Sequence, residues 1–135
     1  MTPPLLLDSC ALIWVLNGDD IKPAARAQIE QELEERRQIY ASPISAWELG
    51  LLQSRNKLIT AGPLMEKLSE LSALAWADMS PEVLYASSFL PATPPNDPGD
   101  RIIITTAREL DMTIVTRDRQ ILDYGQSGHV RCLPC

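Results

Sequence analysis

The apolar positions of this chain fall in short runs between polar punctuation. Leu5-Leu6-Leu7 is a continuous apolar triplet closed at once by Asp8-Ser9, which predicts a strand buried on both faces that ends in a polar turn. Cys10 to Leu16 runs without a breaker to Asn17-Gly18 and predicts a short helix. Pro23 opens a second, amphipathic helix reaching Arg37, in which Glu32, Glu34, Glu35, Arg36 and Arg37 read as a solvated face. Ile39-Tyr40-Ala41 predicts a second strand. Ser45, with Glu48 three residues later, has the spacing of a capping box and predicts a helix from Ala46 to about Lys57. Further helices are expected over Pro63 to Leu74 and Pro81 to Phe89, with a weak strand at Ala75-Trp76-Ala77 between them. Pro91, Pro94, Pro95 and Pro98 keep the next stretch extended. Asp100 to Leu110 then reads as helix, Met112 to Thr116 as strand, Asp118 to Gly125 as helix and His129 to Leu133 as a last strand. Short apolar strands alternating with helices predict an α/β fold, with a parallel sheet covered on both faces.

Composition narrows the function. At 135 residues, with no internal repeat or linker, the chain reads as one domain, residues 1–135. No apolar run approaches a membrane span and the amino terminus lacks the basic start of a secretory signal, so a soluble, cytoplasmic protein is expected. Three cysteines do not make a disulfide framework. A single histidine, His129, excludes a two-histidine nuclease and an H-E-x-x-H zinc site. Eighteen acidic against twelve basic residues, a net charge of −6, exclude a broad basic footprint for nucleic acid or anionic lipid.

The placement of the acids carries more information than their number. Asp8 follows the first strand, Asp118 follows the Thr113 to Thr116 strand, and Asp100 opens the helix that feeds it. In open parallel sheets ligands bind beyond the carboxyl ends of the strands, so at least two of these aspartates point to one rim. Glu48 shares a helical face with Ile44, Leu51 and Leu52, where a carboxylate is costly unless paired or bound to a cation. Each aspartate alone is also a good helix N-cap, and Glu48 alone fits a capping box. Together, carboxylates converging with no lysine nearby would repel one another, and a divalent cation is the simplest remedy. Mg²⁺ or Mn²⁺ favours such all-oxygen sites and permits phosphodiester hydrolysis without histidine. Arg101, Arg117 and Arg119 flank two of the aspartates and are candidate phosphate ligands. Ser9 and Thr116 are candidates to orient the carboxylates or a metal-bound water.

The segments LLLDSCALIWVL (Leu5 to Leu16), ISAWELGLLQSRNKL (Ile44 to Leu58) and DPGDRIIITTARELDMTIVTRD (Asp97 to Asp118) resemble the PIN domain, in particular the VapC-type toxins of bacterial toxin–antitoxin pairs. The likeness spans nearly the whole chain. It implies a three-layer α/β/α fold around a five-stranded parallel sheet in the order 3-2-1-4-5. It also implies an endoribonuclease that uses Mg²⁺ or Mn²⁺, a small antitoxin partner and a homodimer. Carried over by motif, the catalytic and metal-binding cluster is Asp8 in D-S, Glu48 in W-E-L, Asp100 in P-G-D-R and Asp118 in T-R-D, with Ser9 and Thr116 at the hydroxyl positions. Asp97 ranks below the four as an auxiliary. Two departures stand out: Ser9-Cys10 replaces a frequent Thr-His, and Gly99 occupies a position that is often bulky.

Alternatives are a phospho-receiver-like signalling domain and a PIN-fold binding module without activity. A receiver needs a lysine near a late strand end, whereas Lys22, Lys57 and Lys67 all lie in the first half. No phosphate-loop or dinucleotide fingerprint is present. Cys132-Leu133-Pro134-Cys135 lacks the following helix that would lower a thiol pKa. His129 reads as an ordinary residue near the last strand, and Trp14 and Trp47 as core rather than base-stacking platforms.

Overall fold

A computed structural model of the chain describes residues 2–58 and 62–135. Five strands, β1 (Leu5–Leu7), β2 (Ile39–Ala41), β3 (Leu74–Trp76), β4 (Thr113–Thr116) and β5 (Arg131–Pro134), form one sheet in the order β3-β2-β1-β4-β5 with every pairing parallel. This is the expected order, and it differs from the 2-1-3-4-5 order of receiver domains. Side chains alternate between the faces of a strand, and the core divides accordingly. Leu5, Leu7, Ala41, Val115 and Cys135 belong to one cluster, whereas Leu6, Ile114 and the flanking Tyr40 and Cys132 belong to the other. The two cysteines of C-x-x-C therefore serve opposite faces of the sheet as free thiols.

Helices α1 (Ser9–Asn17), α2 (Pro23–Glu34), α3 (Pro43–Ser54) and α4 (Leu64–Ser69) supply the first cluster. Helices α6 (Pro98–Leu110) and α7 (Arg119–Gln126) supply most of the second. Helix α5 (Pro81–Ala86) runs into a 3-10 turn at Ser87–Phe89, so the helix expected to reach Phe89 tightens in its last residues. Helix α1 ends at Gly18, whose φ of +71° provides the left-handed cap.

Several boundaries differ from expectation for identifiable reasons. Helix α3 starts at Pro43, because Ser42 accepts the Ile44 N–H and proline fits the first turn. Ser45 is consequently inside the helix and fully buried, and there is no capping box with Glu48. The buried face of α3 passes through Ser45 and Leu49, while Leu51 is half-buried and Leu52 exposed. Helix α4 stops at Ser69, and β3 takes Leu74. Helix α6 starts at Pro98 with Asp97 as its N-cap, so Asp100 is its third residue and not its opening. Trp47 is 61% exposed, against its expected place in the core.

The acidic and basic face assigned to α2 also needs correction. Glu32 is 1% exposed, and both of its carboxylate oxygens accept hydrogen bonds from Arg37, at 2.9 and 3.0 Å. Removing one partner of such a pair strands a buried charge, whereas removing both charges does not. Among the described residues no helix is long and apolar enough to cross a membrane. In urea unfolding, Arg37→Ala should lower the midpoint clearly more than Arg36→Ala, and adding Glu32→Gln to Arg37→Ala should recover part of the loss.

Candidate active site

The central strands β1 and β4 pair Leu7 with Val115, so the residues that follow them emerge side by side. Asp8 leaves β1 in an extended conformation and caps α1, accepting the Ala11 N–H at 2.7 Å through Oδ1. Its other oxygen, Oδ2, accepts the Thr116 hydroxyl from the end of β4. Thr116 Oγ1 in turn accepts the Asp118 N–H at 3.0 Å. Asp118 Oδ1 caps α7 through the N–H groups of Gln120 and Ile121, at 2.9 and 3.1 Å. One buried threonine thus fixes two aspartates from two different strands.

The third side of the rim comes from α3. Ser9 Oγ lies 2.7 Å from Glu48 Oε1 and 2.8 Å from Ser45 Oγ. A carboxylate accepts only, so the single Ser9 proton goes to Glu48 and Ser45 serves as donor to Ser9. The first turn of α6 closes the site. Asp97 Oδ1 accepts the Asp100 N–H at 3.0 Å, which leaves the Asp100 carboxylate free of capping duty. Gly99 stands directly against Glu48: a Cβ there would lie 2.6 Å from Glu48 Oε2.

The electrostatics place these groups in one shared field. Burial, followed by the charges of Asp97, Asp118, Glu48 and Asp8, pushes the Asp100 carboxyl up to about 7. Burial raises Asp8 against the opposing hydrogen bonds from Thr116 and Ala11. Glu48 is raised by burial and by the charges of Asp97 and Asp8, against the Ser9 hydrogen bond. Cys10, exposed at the start of α1, is raised by burial and then by all four carboxylates. Among the described residues, none of Asp8, Glu48, Asp100 and Asp118 forms an ion pair.

This donor set fits a hard divalent cation: oxygens only, mutually repelling, with Glu48 Oε2 and the Asp100 carboxylate unclaimed by hydrogen bonds among the described residues. Among the described residues, no group of three or more Asp, Glu, His or Cys side chains is arranged to hold a metal ion by itself. Such a site suits Mg²⁺ or Mn²⁺, which keep several waters and need only one or two carboxylates directly.

The three candidate arginines are placed differently from one another. Arg101 is occupied, with its Nε donating to Pro95 O at 2.7 Å and one terminal nitrogen reaching Ser87 O at 3.4 Å. Its guanidinium anchors the proline-rich loop, which argues against the phosphate role expected for it. Arg117 lies 3.4 Å over the Trp14 ring and donates to Cys135 O at 3.1 Å and Asp20 O at 3.4 Å. Arg119, at the start of α7 beside Asp118, is exposed and has no partner among the described residues. Cys132 is held as a protonated thiol, pushed up to about 11 chiefly by burial. Sequence reasoning missed Ser45, Cys10 and the contact made by Gly99. The signal for Ser45 was its position three residues before Glu48 on one helical face, which is equally the spacing of a capping box.

Two outcomes follow from this geometry. The cost of ionising Asp100 in the folded, metal-free protein grows from its ordinary range of about 4 to its raised value of about 7 and is complete above that. In EDTA, Asp100→Asn should therefore melt at a higher temperature than wild type, with the advantage largest near pH 8 and shrinking toward pH 5. Gly99→Ala should leave the fold intact, because alanine is the better helix residue by roughly 0.5–1 kcal/mol. It should nevertheless displace the Glu48 carboxylate from Ser9, seen as changed NMR shifts for both residues and weakened metal binding.

Comparison with known proteins identifies the family. Residues 5–126 match the family model described as the PIN domain. The chain is 30% identical over 125 residues to ribonuclease VapC22 of Mycobacterium tuberculosis, covering 92% of this chain and 93% of the relative. Among solved structures, VapBC2 from Rickettsia felis, bound to a DNA fragment from its promoter, superposes with a TM-score of 0.65 at 18% identity, over 96% of this chain and 97% of that one. FitAcB from Neisseria gonorrhoeae superposes with a TM-score of 0.56 at 19% identity, over 96% of each chain. Fold order, matched family and curated relative coincide: the chain belongs to the PIN domain family, in its VapC branch.

Proposed function

We propose that this protein is an endoribonuclease dependent on Mg²⁺ or Mn²⁺, acting in the cytoplasm as the toxin of a toxin–antitoxin pair. The observation that carries this reading is the convergence of Asp8, Glu48, Asp100 and Asp118 on one rim without a cationic partner among the described residues. Relationship to a protein named as a ribonuclease supports RNA as substrate.

When bound, the cation would activate a water and stabilise charge on the leaving oxygen. The protein's own groups would do the rest. Asp8 and Asp118, each spending one oxygen on a helix cap, would face the cation from the ends of β1 and β4, and Asp100 and Glu48 would face it from α6 and α3. Ser9 would hold Glu48 in orientation, as Thr116 would hold Asp8. Arg119, the unengaged guanidinium, is the best placed of the three arginines to neutralise the substrate phosphate. A binding module without activity is the weaker reading, because all four carboxylates are present in the sequence.

The partners follow the same reasoning. The structural neighbours VapBC2 and FitAcB are toxin–antitoxin complexes, which supports a small antitoxin here, and an acidic surface suits a basic partner segment. Tyr85 and Phe89, 72% and 68% exposed with ring centroids 5.1 Å apart, present an apolar surface in keeping with a homodimer.

Purified protein should cut mixed RNA with Mg²⁺ or Mn²⁺ and not with EDTA, and Asp8→Asn and Asp100→Asn should reduce cutting to background. Ser9→Ala should cost about 10–100-fold, as expected for a group that orients a ligand. The products should carry 5′-phosphate and 3′-hydroxyl ends. Cleavage that persists in EDTA, or 2′,3′-cyclic phosphate ends, would overturn the metal-site reading.

A further inference from the structure

A cavity adjoins the acidic rim. It has a volume of about 360 Å³ and lies between α7 and the proline-rich loop, lined by residues 92–96 on one side and by Gln120, Asp123, Tyr124 and Ser127 on the other, with His129 completing it. Gln120, Asp123 and Tyr124 of α7 and its C-cap Ser127 recur at offsets of three, four and seven, so one helical face forms the wall. One end of the cavity meets the rim: Asn96 directly precedes Asp97, the cap of α6, and the Gln120 N–H is held by Asp118 Oδ1.

The opposite wall is fixed in place. Tyr124 Oη donates to Pro91 O at 2.7 Å and Arg101 Nε donates to Pro95 O at 2.7 Å, pinning the loop near both ends. Between the pins, Ala92 holds a φ of +60°, a left-handed conformation that costs a residue with a Cβ about 1–3 kcal/mol. The anchored loop thus keeps a strained residue and an open cavity. Small-molecule sites are usually preformed clefts of this order of size, and this one needs no movement to open.

The lining indicates what fits. It contains neither lysine nor arginine, and it presents the Asp123 carboxylate, so a phosphate is disfavoured. It does present two primary amides, Asn96 and Gln120, each able to donate and accept. It also includes the His129 ring, stacked on Tyr124 with centroids 4.8 Å apart and planes 28° apart. A stacking ring beside amides and a carboxylate is the equipment with which proteins read unstacked bases of single-stranded RNA.

We propose that this cavity is a nucleobase subsite next to the cleaved phosphate, in which Asp123 selects guanine. The N1–H and the 2-amino group of guanine form two adjacent donors that match the two acceptor oxygens of a carboxylate. Uracil has one N–H flanked by two carbonyl oxygens, which the carboxylate repels. The proposal rests on the ribonuclease reading for its biological meaning, while base binding itself needs neither metal nor cleavage.

The test uses isotope-labelled protein in EDTA, titrated separately with guanosine and uridine and followed by NMR. Guanosine should shift the signals of Asn96, Gln120, Asp123 and His129, and uridine should not. Asp123→Asn, an exposed substitution, should lower the guanosine preference by about tenfold or more, the discrimination expected of one bidentate contact. Shifts that are absent, equal for the two nucleosides, or unchanged in Asp123→Asn would overturn the subsite. Short RNAs differing in one base then separate the two ideas. Cleavage next to guanine that loses its preference in Asp123→Asn supports both; cleavage indifferent to base and variant overturns the subsite alone; specific guanosine shifts with no cleavage overturn the nuclease and leave the base site standing.

Discussion

The carboxylate of Asp8, shared between the Ala11 N–H and the Thr116 hydroxyl, is the interaction on which the rest of the site depends. It sits where the two central strands end, and it satisfies three requirements together. It caps α1, it ties the end of β1 to the end of β4 across the sheet, and it sets the origin from which the other acids are placed. Thr116 extends the tie by accepting the Asp118 N–H, so the second aspartate follows the first within hydrogen-bond tolerances. Residues 108 positions apart in sequence are thereby held as one unit. The parallel sheet makes this possible, because adjacent parallel strands deliver their carboxyl ends to the same edge.

Charge poses the opposing constraint. Burial and neighbouring carboxylates raise the ionisation cost of Asp8, Glu48 and Asp100, and Asp100, left without a hydrogen bond to its carboxylate among the described residues, is pushed up to about 7. A structure selected for stability alone would place a lysine or arginine there. Instead the nearby arginines are directed elsewhere, Arg101 into the loop carbonyls and Arg117 onto Trp14 and the chain terminus. Setting these four acids aside takes the formal charge from −6 to −2, so the remaining surface is only mildly hostile to a polyanion.

The strands and the acids that follow them were legible in the sequence because each rests on a local signal, an apolar run for a strand and an acid directly after it, whereas the strand order came from the resemblance to a known family. Boundaries that depended on competing caps were less legible. Ser42 and Ser45 are both plausible caps for α3, and Pro43 at the first helical position decides for Ser42, a choice that alternation of apolar residues does not reveal. Glu32 looked like one more surface acid among Glu34 and Glu35, since nothing local states that Arg37 folds back on it. Gly99 carried no visible reason for being glycine until α6 was set against α3, because its neighbour Glu48 lies 51 positions away in sequence. Contacts between elements distant in sequence were the part that sequence patterns could not supply.

Capping and ligation, which looked like rival explanations for each aspartate, are compatible in three dimensions. Asp8, Asp97 and Asp118 all cap helices through one oxygen, and in Asp97 and Asp118 no hydrogen bond is given to the other oxygen among the described residues. The cap fixes the side-chain torsion, so the second oxygen is aimed without further support and loses little freedom when a ligand arrives. Asp100 differs because Asp97 caps its helix in its place. It is therefore the acid with both oxygens uncommitted, and also the one whose charge is hardest to sustain alone. Asparagine caps a helix about as well as aspartate. An Asp→Asn change at Asp118 accordingly separates capping from charge, because the local backbone geometry survives and what disappears is the negative charge, whereas at Asp8 it would also remove the oxygen that accepts the Thr116 hydroxyl.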